Sequence, residues 1–133
     1  MVRALRSGSG AQEIDPLAKL ISFDIDGTLE IGDPPGIITM DLVRKARSLG
    51  YLIGSCSDRP VSTQVRLWNE QRISVDFTVL KQNLEEVKAR FEVEAYYHVG
   101  DTETDRFFAH KAGFRFVQAT ARAWQHSMPD LPL

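Results

Sequence analysis

The sequence holds a single cysteine, Cys56, among its 133 residues. A lone thiol builds no disulfide framework, which points to a reducing compartment and sets the expectation of a cytoplasmic protein. No apolar stretch approaches the roughly 20 residues that span a bilayer, so no membrane partner is expected. The N-terminus also lacks a signal-peptide core. Charge of one sign is missing too: 16 Lys plus Arg stand against 18 Asp plus Glu, a formal net charge of −2. That balance offers no basic surface for general nucleic-acid binding or for an anionic membrane. The length leaves little room for a second domain. Residues 1–15, with Ser-Gly-Ser-Gly at 7–10, read as a flexible leader, and 16–133 as one domain.

What is present alternates between strand and helix signals. LISFDI (20–25) is a short apolar run, as a strand buried on both faces should be. LEI and GIIT flank Gly32-Asp33-Pro34-Pro35-Gly36, which reads as a small hairpin or flap over 29–39. Thr39 is placed to cap a helix that Gly50 stops, with Leu42, Val43, Ala46 and Leu49 as its apolar face. A strand over 51–57 follows. A helix over 61–71 then opens at Pro60, with Val61, Val65 and Trp68 on one side. Further strands are expected over 75–80, 95–100 and 114–119, with helices over 83–91 and 105–113, and a short helix and tail after 120. This alternation predicts a three-layer, Rossmann-like α/β fold: a five-stranded parallel sheet with helices on both faces. Right-handed crossovers bring every strand C-terminus to one edge, where ligands bind in open sheets.

Four strands deliver polar groups to that edge. Asp24 and Asp26 end the first strand, Ser57-Asp58 the second, Lys81 follows the third, and Gly100-Asp101 the fourth. Asp24, Asp26, Asp101 and Asp105 would crowd carboxylates into one crevice, and such a crowd calls for a cation. Hard oxygen ligands in an open site suit Mg²⁺. An aspartate can attack phosphorus, and a second carboxylate can protonate the leaving oxygen and later activate water. A hydroxyl, an ammonium and backbone N–H groups can hold the transferring oxygens. Gly27 would let the backbone approach the phosphate.

Asp24-Ile25-Asp26-Gly27-Thr28-Leu29, Ser57 in SCSDRP, Lys81 and the run GDTETD at 100–105 resemble the motifs of the haloacid-dehalogenase superfamily of phosphohydrolases. The resemblance covers residues 20 to about 118. It implies that Asp24 is the nucleophile and Asp26 the general acid/base, with Ser57 and Lys81 binding the phosphoryl group. Gly27, Thr28, Asp58 and Arg59 would line the phosphate or its leaving group. Asp101, with Asp24 and the backbone carbonyl of Asp26, would hold Mg²⁺, and Asp105 would support that site. The dehalogenating branch lacks an aspartate at the place of Asp26, which favours phosphate chemistry. Ser55 is the alternative to Ser57 and Lys88 the alternative to Lys81. The family often has proline after its lysine, where this chain has Gln82.

Taken singly, Asp-Gly-Thr is a turn sequence and GDTETD a helix N-terminus. Their joint arrival at neighbouring strand ends is the specific signal. Cys56 reads as core rather than nucleophile, His98 as a packed or hydrogen-bonded strand histidine, His110 and His126 lack metal-ligand spacing, and Trp68 and Trp124 read as core. The spacings from Asp26 to Ser57 and from Ser57 to Lys81 leave no room for the cap domain that such enzymes often insert. An uncapped site implies a large phosphorylated substrate, or a small one with a lid from another subunit of a homo-oligomer. A second function class uses a similar residue set: a phosphate-binding or phospho-accepting module without turnover. Receiver domains are of that kind, but they carry no acid/base two residues after the phosphoryl aspartate, so Asp26 separates the two.

Overall fold

The central strand is mostly apolar because it is buried on both sides. In the computed structural model, which describes residues 4–5 and 13–133, β3 (Lys19–Phe23) lies in the middle of a five-stranded, all-parallel sheet. The order is β5 (Phe77–Leu80), β4 (Leu52–Ser57), β3, β6 (Ala95–Gly100), β7 (Arg115–Gln118). Ile21 and Phe23 pack with Val43 of α1 (Met40–Ser48), Trp68 of α2 (Val61–Glu70) and Trp124 of α5 (Ala121–Ser127). Leu20 points to the other face, toward α3 (Leu84–Arg90) and α4 (Glu103–Ala112). The expected three-layer α/β architecture is therefore observed. The chain leaves β3 toward β4 and β5, then returns to the opposite side for β6 and β7. The order thus reverses beside β3, which opens a crevice at its C-terminal end.

The element boundaries differ in instructive ways. β3 stops at Phe23, two residues before the expected end, because Ile25 O already accepts the N–H groups of Thr28 and Leu29 in a turn. The helix expected from Asn83 is preceded by a 3-10 turn, Lys81–Asn83, directly after β5. Residues 29–39 do not form a ladder. Leu29 and Ile38 make a single bridge, and backbone bonds such as Gly27 N to Pro34 O (2.6 Å) fold the loop back onto the first turn. Among the described residues no further domain interrupts the chain between β3 and β5.

Three residues expected in helix faces are exposed: Leu49 past the end of α1, and Val61 and Val65 on α2. The residue of α2 buried with Trp68 is Gln64, which the apolar pattern could not reveal. Its amide is fully used by Ser55 Oγ (2.6 Å), Arg59 O (2.8 Å) and Val79 O (3.0 Å). The expected leader, residues 1–15, lies largely outside the described residues. Within it β1 (Ala4–Leu5) pairs antiparallel with β2 (Glu13–Ile14), and Ile14 is buried. Among the described residues no helix is long and apolar enough to cross a membrane.

Phe23 is fully buried and stacks on Trp124, with centroids 6.4 Å apart. Phe23→Ala is expected to remove about 3–5 kcal/mol of stability, a large share of the usual total. Denaturant unfolding would show this as a lowered midpoint at unchanged slope.

Candidate functional site

The C-terminal ends of β3, β4, β5 and β6 converge on an open cleft of about 250 Å³, lined by Asp24, Asp26, Ser57, Asp58, Lys81 and Asp101 together with Pro34 and Thr102. A larger hollow of about 580 Å³ runs along α2 and β5. It brings no group of carboxylates together, since its lining holds only Asp76, whose Oδ2 accepts from Ile53 N and meets Arg47. The chemistry-bearing residues are in the smaller cleft.

Asp24 follows β3 and is 4 % exposed. Burial pushes its carboxyl up to about 8; the Asp105 charge adds to this, and Lys81 and the Ile25 N–H oppose it. Lys81, 5 % exposed, places Nζ 3.3 Å from Asp105 Oδ1, 3.5 Å from Asp58 Oδ2 and 3.9 Å from Asp24 Oδ2. Burial opposes its charge, but the three carboxylates outweigh that and hold the ammonium above its ordinary value. Lys88 is elsewhere, with Nζ on Gly113 O (3.2 Å) and over the Tyr96 ring. Ser57 reaches the cleft, its Oγ accepting from Arg59 N at 3.0 Å. Ser55 faces α2, bonded to Gln64 and to Trp68 Nε1.

Asp26 is held differently from its neighbour. Its Oδ1 accepts from Arg59 Nη2 and from Asp33 N, both at 2.7 Å, and its Oδ2 accepts from Arg59 Nε at 3.1 Å. The Arg59 hydrogen bonds, against the effect of partial burial, hold its carboxyl below the ordinary range. Arg59 thus engages the second aspartate rather than an open anion site. Thr28 is fully buried with no partner for Oγ1, and does not reach the cleft. Gly27 adopts φ +77°, and a Cβ there would lie 2.0 Å from Asp101 Oδ2. The glycine therefore makes room for a carboxylate as well as for a turn.

Asp24, Asp101 and Asp105 each offer a carboxylate oxygen, and the three atoms lie within 4.8 Å of one another. Asp101 Oδ1 is buried and has no hydrogen-bond partner. An all-carboxylate set with an orphaned buried oxygen fits a hard cation. The Asp26 side chain is not in this cluster. Asp105 is the most enclosed member. Its Oδ2 accepts from Thr102 N (3.2 Å) and Thr102 Oγ1 (2.9 Å), while Thr102 caps α4 in a reciprocal capping box. Its Oδ1 faces His98 Nε2 at 3.0 Å and Lys81. Burial would raise this carboxyl, but the His98 hydrogen bond, the Lys81 charge and the Thr102 hydrogen bond outweigh it and hold it well below the ordinary range. GDTETD is thus a helix start and a site segment at once. His98, expected as a packed or hydrogen-bonded histidine, is hydrogen-bonded on both ring nitrogens. Sequence reading missed Gln64 and Ser22 as polar supports, and for the cap at Asp105 the Thr-x-x-Asp spacing at 102–105 was the available signal. The chain matches no protein-family model and no curated protein.

A carboxyl whose folded value is raised binds protons more readily folded than unfolded, so its contribution favours folding at low pH and is lost as pH rises from about 3.8 through about 8. In chelator, Asp24→Asn is therefore expected to raise Tm at pH 8.5 relative to wild type and to leave it nearly unchanged at pH 4. Calorimetry across that window checks it; a pH-independent difference would contradict the assignment. Gly27→Ala is expected to destabilise the fold through both its strained φ and the clash with Asp101, and to weaken divalent-cation binding measured by titration.

Proposed function

We propose that the chain is a Mg²⁺-dependent phosphatase of the haloacid-dehalogenase type that hydrolyses phosphate monoesters through an aspartyl-phosphate on Asp24. The observation that carries this reading is the single cleft shared by Asp24, Asp26, Ser57, Lys81 and Asp101, reached from four strand ends. Asp24 attacks phosphorus, and the bond from phosphorus to the ester oxygen breaks. The departing oxygen takes a proton from Asp26. Asp26 then accepts a proton from a water that attacks the phosphorus of phospho-Asp24, which frees phosphate and restores the carboxylate. Ser57 Oγ and Lys81 Nζ bind the phosphoryl oxygens as charge spreads over them. Asp24 and Asp101, supported by Asp105, would hold Mg²⁺, which when bound offsets the crowded negative charge of carboxylates and phosphate. For Asp26 to give up a proton, Arg59 must loosen its hold, and the incoming phosphoryl charge competes for the guanidinium.

The Arg59 pair favours a second reading, a module that accepts a phosphoryl group on Asp24 and keeps it, because a clamped carboxylate is a poor acid. The lifetime of labelled phospho-Asp24 in a chase separates the two: seconds or less under turnover, and minutes or longer in a storage module.

Asp24→Asn is expected to abolish Mg²⁺-dependent hydrolysis of p-nitrophenyl phosphate, and Asp26→Asn to slow it by about 10²–10⁴-fold. A wild-type rate in Asp24→Asn would overturn the mechanism. EDTA should remove activity and excess Mg²⁺ restore it, with Asp101→Ala shifting the Mg²⁺ requirement upward. The cleft is open and its loop 29–39 is tied down by backbone bonds, so small esters should bind weakly, with KM at or above about 1 mM. Selective low-micromolar KM in a protein that sediments as a monomer would contradict this.

A further inference from the structure

Two polar side chains lie where apolar ones would be expected. Ser22 and His98 sit opposite each other in register on β3 and β6, the sheet's central pair on this side, and both are 0 % exposed. They share a face with Leu20, which packs into the α3 and α4 layer. Burying a hydroxyl and an imidazole there costs free energy unless each is hydrogen-bonded, and two well-packed apolar residues would hold the sheet as well or better. Packing therefore does not account for them.

Their hydrogen bonds lead to the site. Ser22 Oγ lies 2.9 Å from His98 Nδ1, and His98 Nε2 lies 3.0 Å from Asp105 Oδ1. A carboxylate only accepts, so Nε2 carries the proton in that bond. The same Asp105 oxygen is 3.3 Å from Lys81 Nζ, which is 3.9 Å from Asp24 Oδ2. The chain Ser22, His98, Asp105, Lys81, Asp24 thus runs from the sheet interior to the cleft through four separate elements. Lys81 has three carboxylates to choose among, and the third, Asp58, is 82 % exposed. An ammonium on a flexible stem takes its place from the acceptors available. With His98 bonded to Oδ1 and Thr102 to Oδ2, Asp105 cannot turn, and the share of Oδ1 left for Lys81 has one direction.

We propose that His98, steadied by Ser22, is a positioning residue: it fixes the Asp105 carboxylate and so sets Lys81 Nζ against Asp24. This rests on the phosphatase reading for its consequence in turnover, but its geometry can be tested separately. Glutamine can place an N–H where His98 Nε2 stands, whereas asparagine reaches only to the Nδ1 position. In the positioning role, H98Q keeps kcat near wild type and H98N loses about 10–100-fold, mostly in kcat rather than KM. A residue that only packs would make the two variants alike in kcat once each is measured well below its own Tm. The second readout needs no activity: the ¹³Cε signal of Lys81 in lysine-labelled protein, assigned with K81R. It is expected to coincide in wild type and H98Q and to move in H98N.

An inactive wild type with this pattern would retire the phosphatase reading and keep the positioning. An active wild type with the same Lys81 signal and kcat in H98N would overturn the positioning and keep the phosphatase. Should H98N fail to fold, S22A removes only a hydroxyl. It is expected to shift the Lys81 signal in the same direction by a smaller amount, and an unmoved signal there would likewise overturn the proposal.

Discussion

One ammonium among buried carboxylates is the constraint on which the site depends. Lys81 Nζ stands within 4 Å of Asp24, Asp58 and Asp105, and two of these partners are almost wholly enclosed. A single cation cannot neutralise them all, and Asp101 adds a fourth carboxylate with a buried, unpartnered oxygen. The fold tolerates this because each charge meets a different environment. Asp105 is surrounded by donors and stays ionised; Asp24 has fewer and is driven toward its protonated form. Two neighbouring carboxylates with opposed shifts, one lining the cleft and one behind it, mark a candidate functional site.

The sheet makes that arrangement possible. Parallel strands end together, so residues far apart in sequence arrive at one edge without a long loop. The central strand is buried on both faces and anchored by Phe23 and Trp124 on one side and Leu20 on the other. Asp24 follows it directly, so the nucleophile candidate is carried by the buried central strand. Arg59 ties the end of β4 to the loop after β3 through Asp26, and Gln64 fixes the backbone of Arg59 from α2. The two aspartates, two residues apart, therefore differ in their hydrogen-bond partners and in their burial.

The order of strands and helices from residue 19 on, the convergence at the sheet edge and the arrival there of Asp24, Asp26, Ser57, Asp58, Lys81 and Asp101 were legible in the sequence; the burial of Thr28 away from the cleft and the place of Asp26 outside the carboxylate cluster were not. The legible features follow from local rules: apolar runs for buried strands, Thr39 as a cap, glycines at turns, and alternation that forces parallel crossovers. Lys81 and Lys88 could be separated by reach, since one precedes the helix and the other lies two turns in. The exposed positions of Leu49, Val61 and Val65 were not legible, because helical periodicity names a face but not which part of it the sheet covers.

Side-chain partners were beyond the sequence for a related reason. Nothing local tells Arg59 to grip Asp26, since the pair is joined only when two strand ends become neighbours. Nothing local names the hydrogen-bond partners of His98 or places Ser22 beside it; the register of β3 against β6 does that for Ser22. By itself the sequence determined which residues go to the edge, because strand direction and crossover handedness are set by backbone chirality and spacing. The tertiary structure alone decided which charge meets which. Hydrogen bonds and Coulomb forces act over a few ångströms, and those distances exist only once the sheet has closed and its helices have packed.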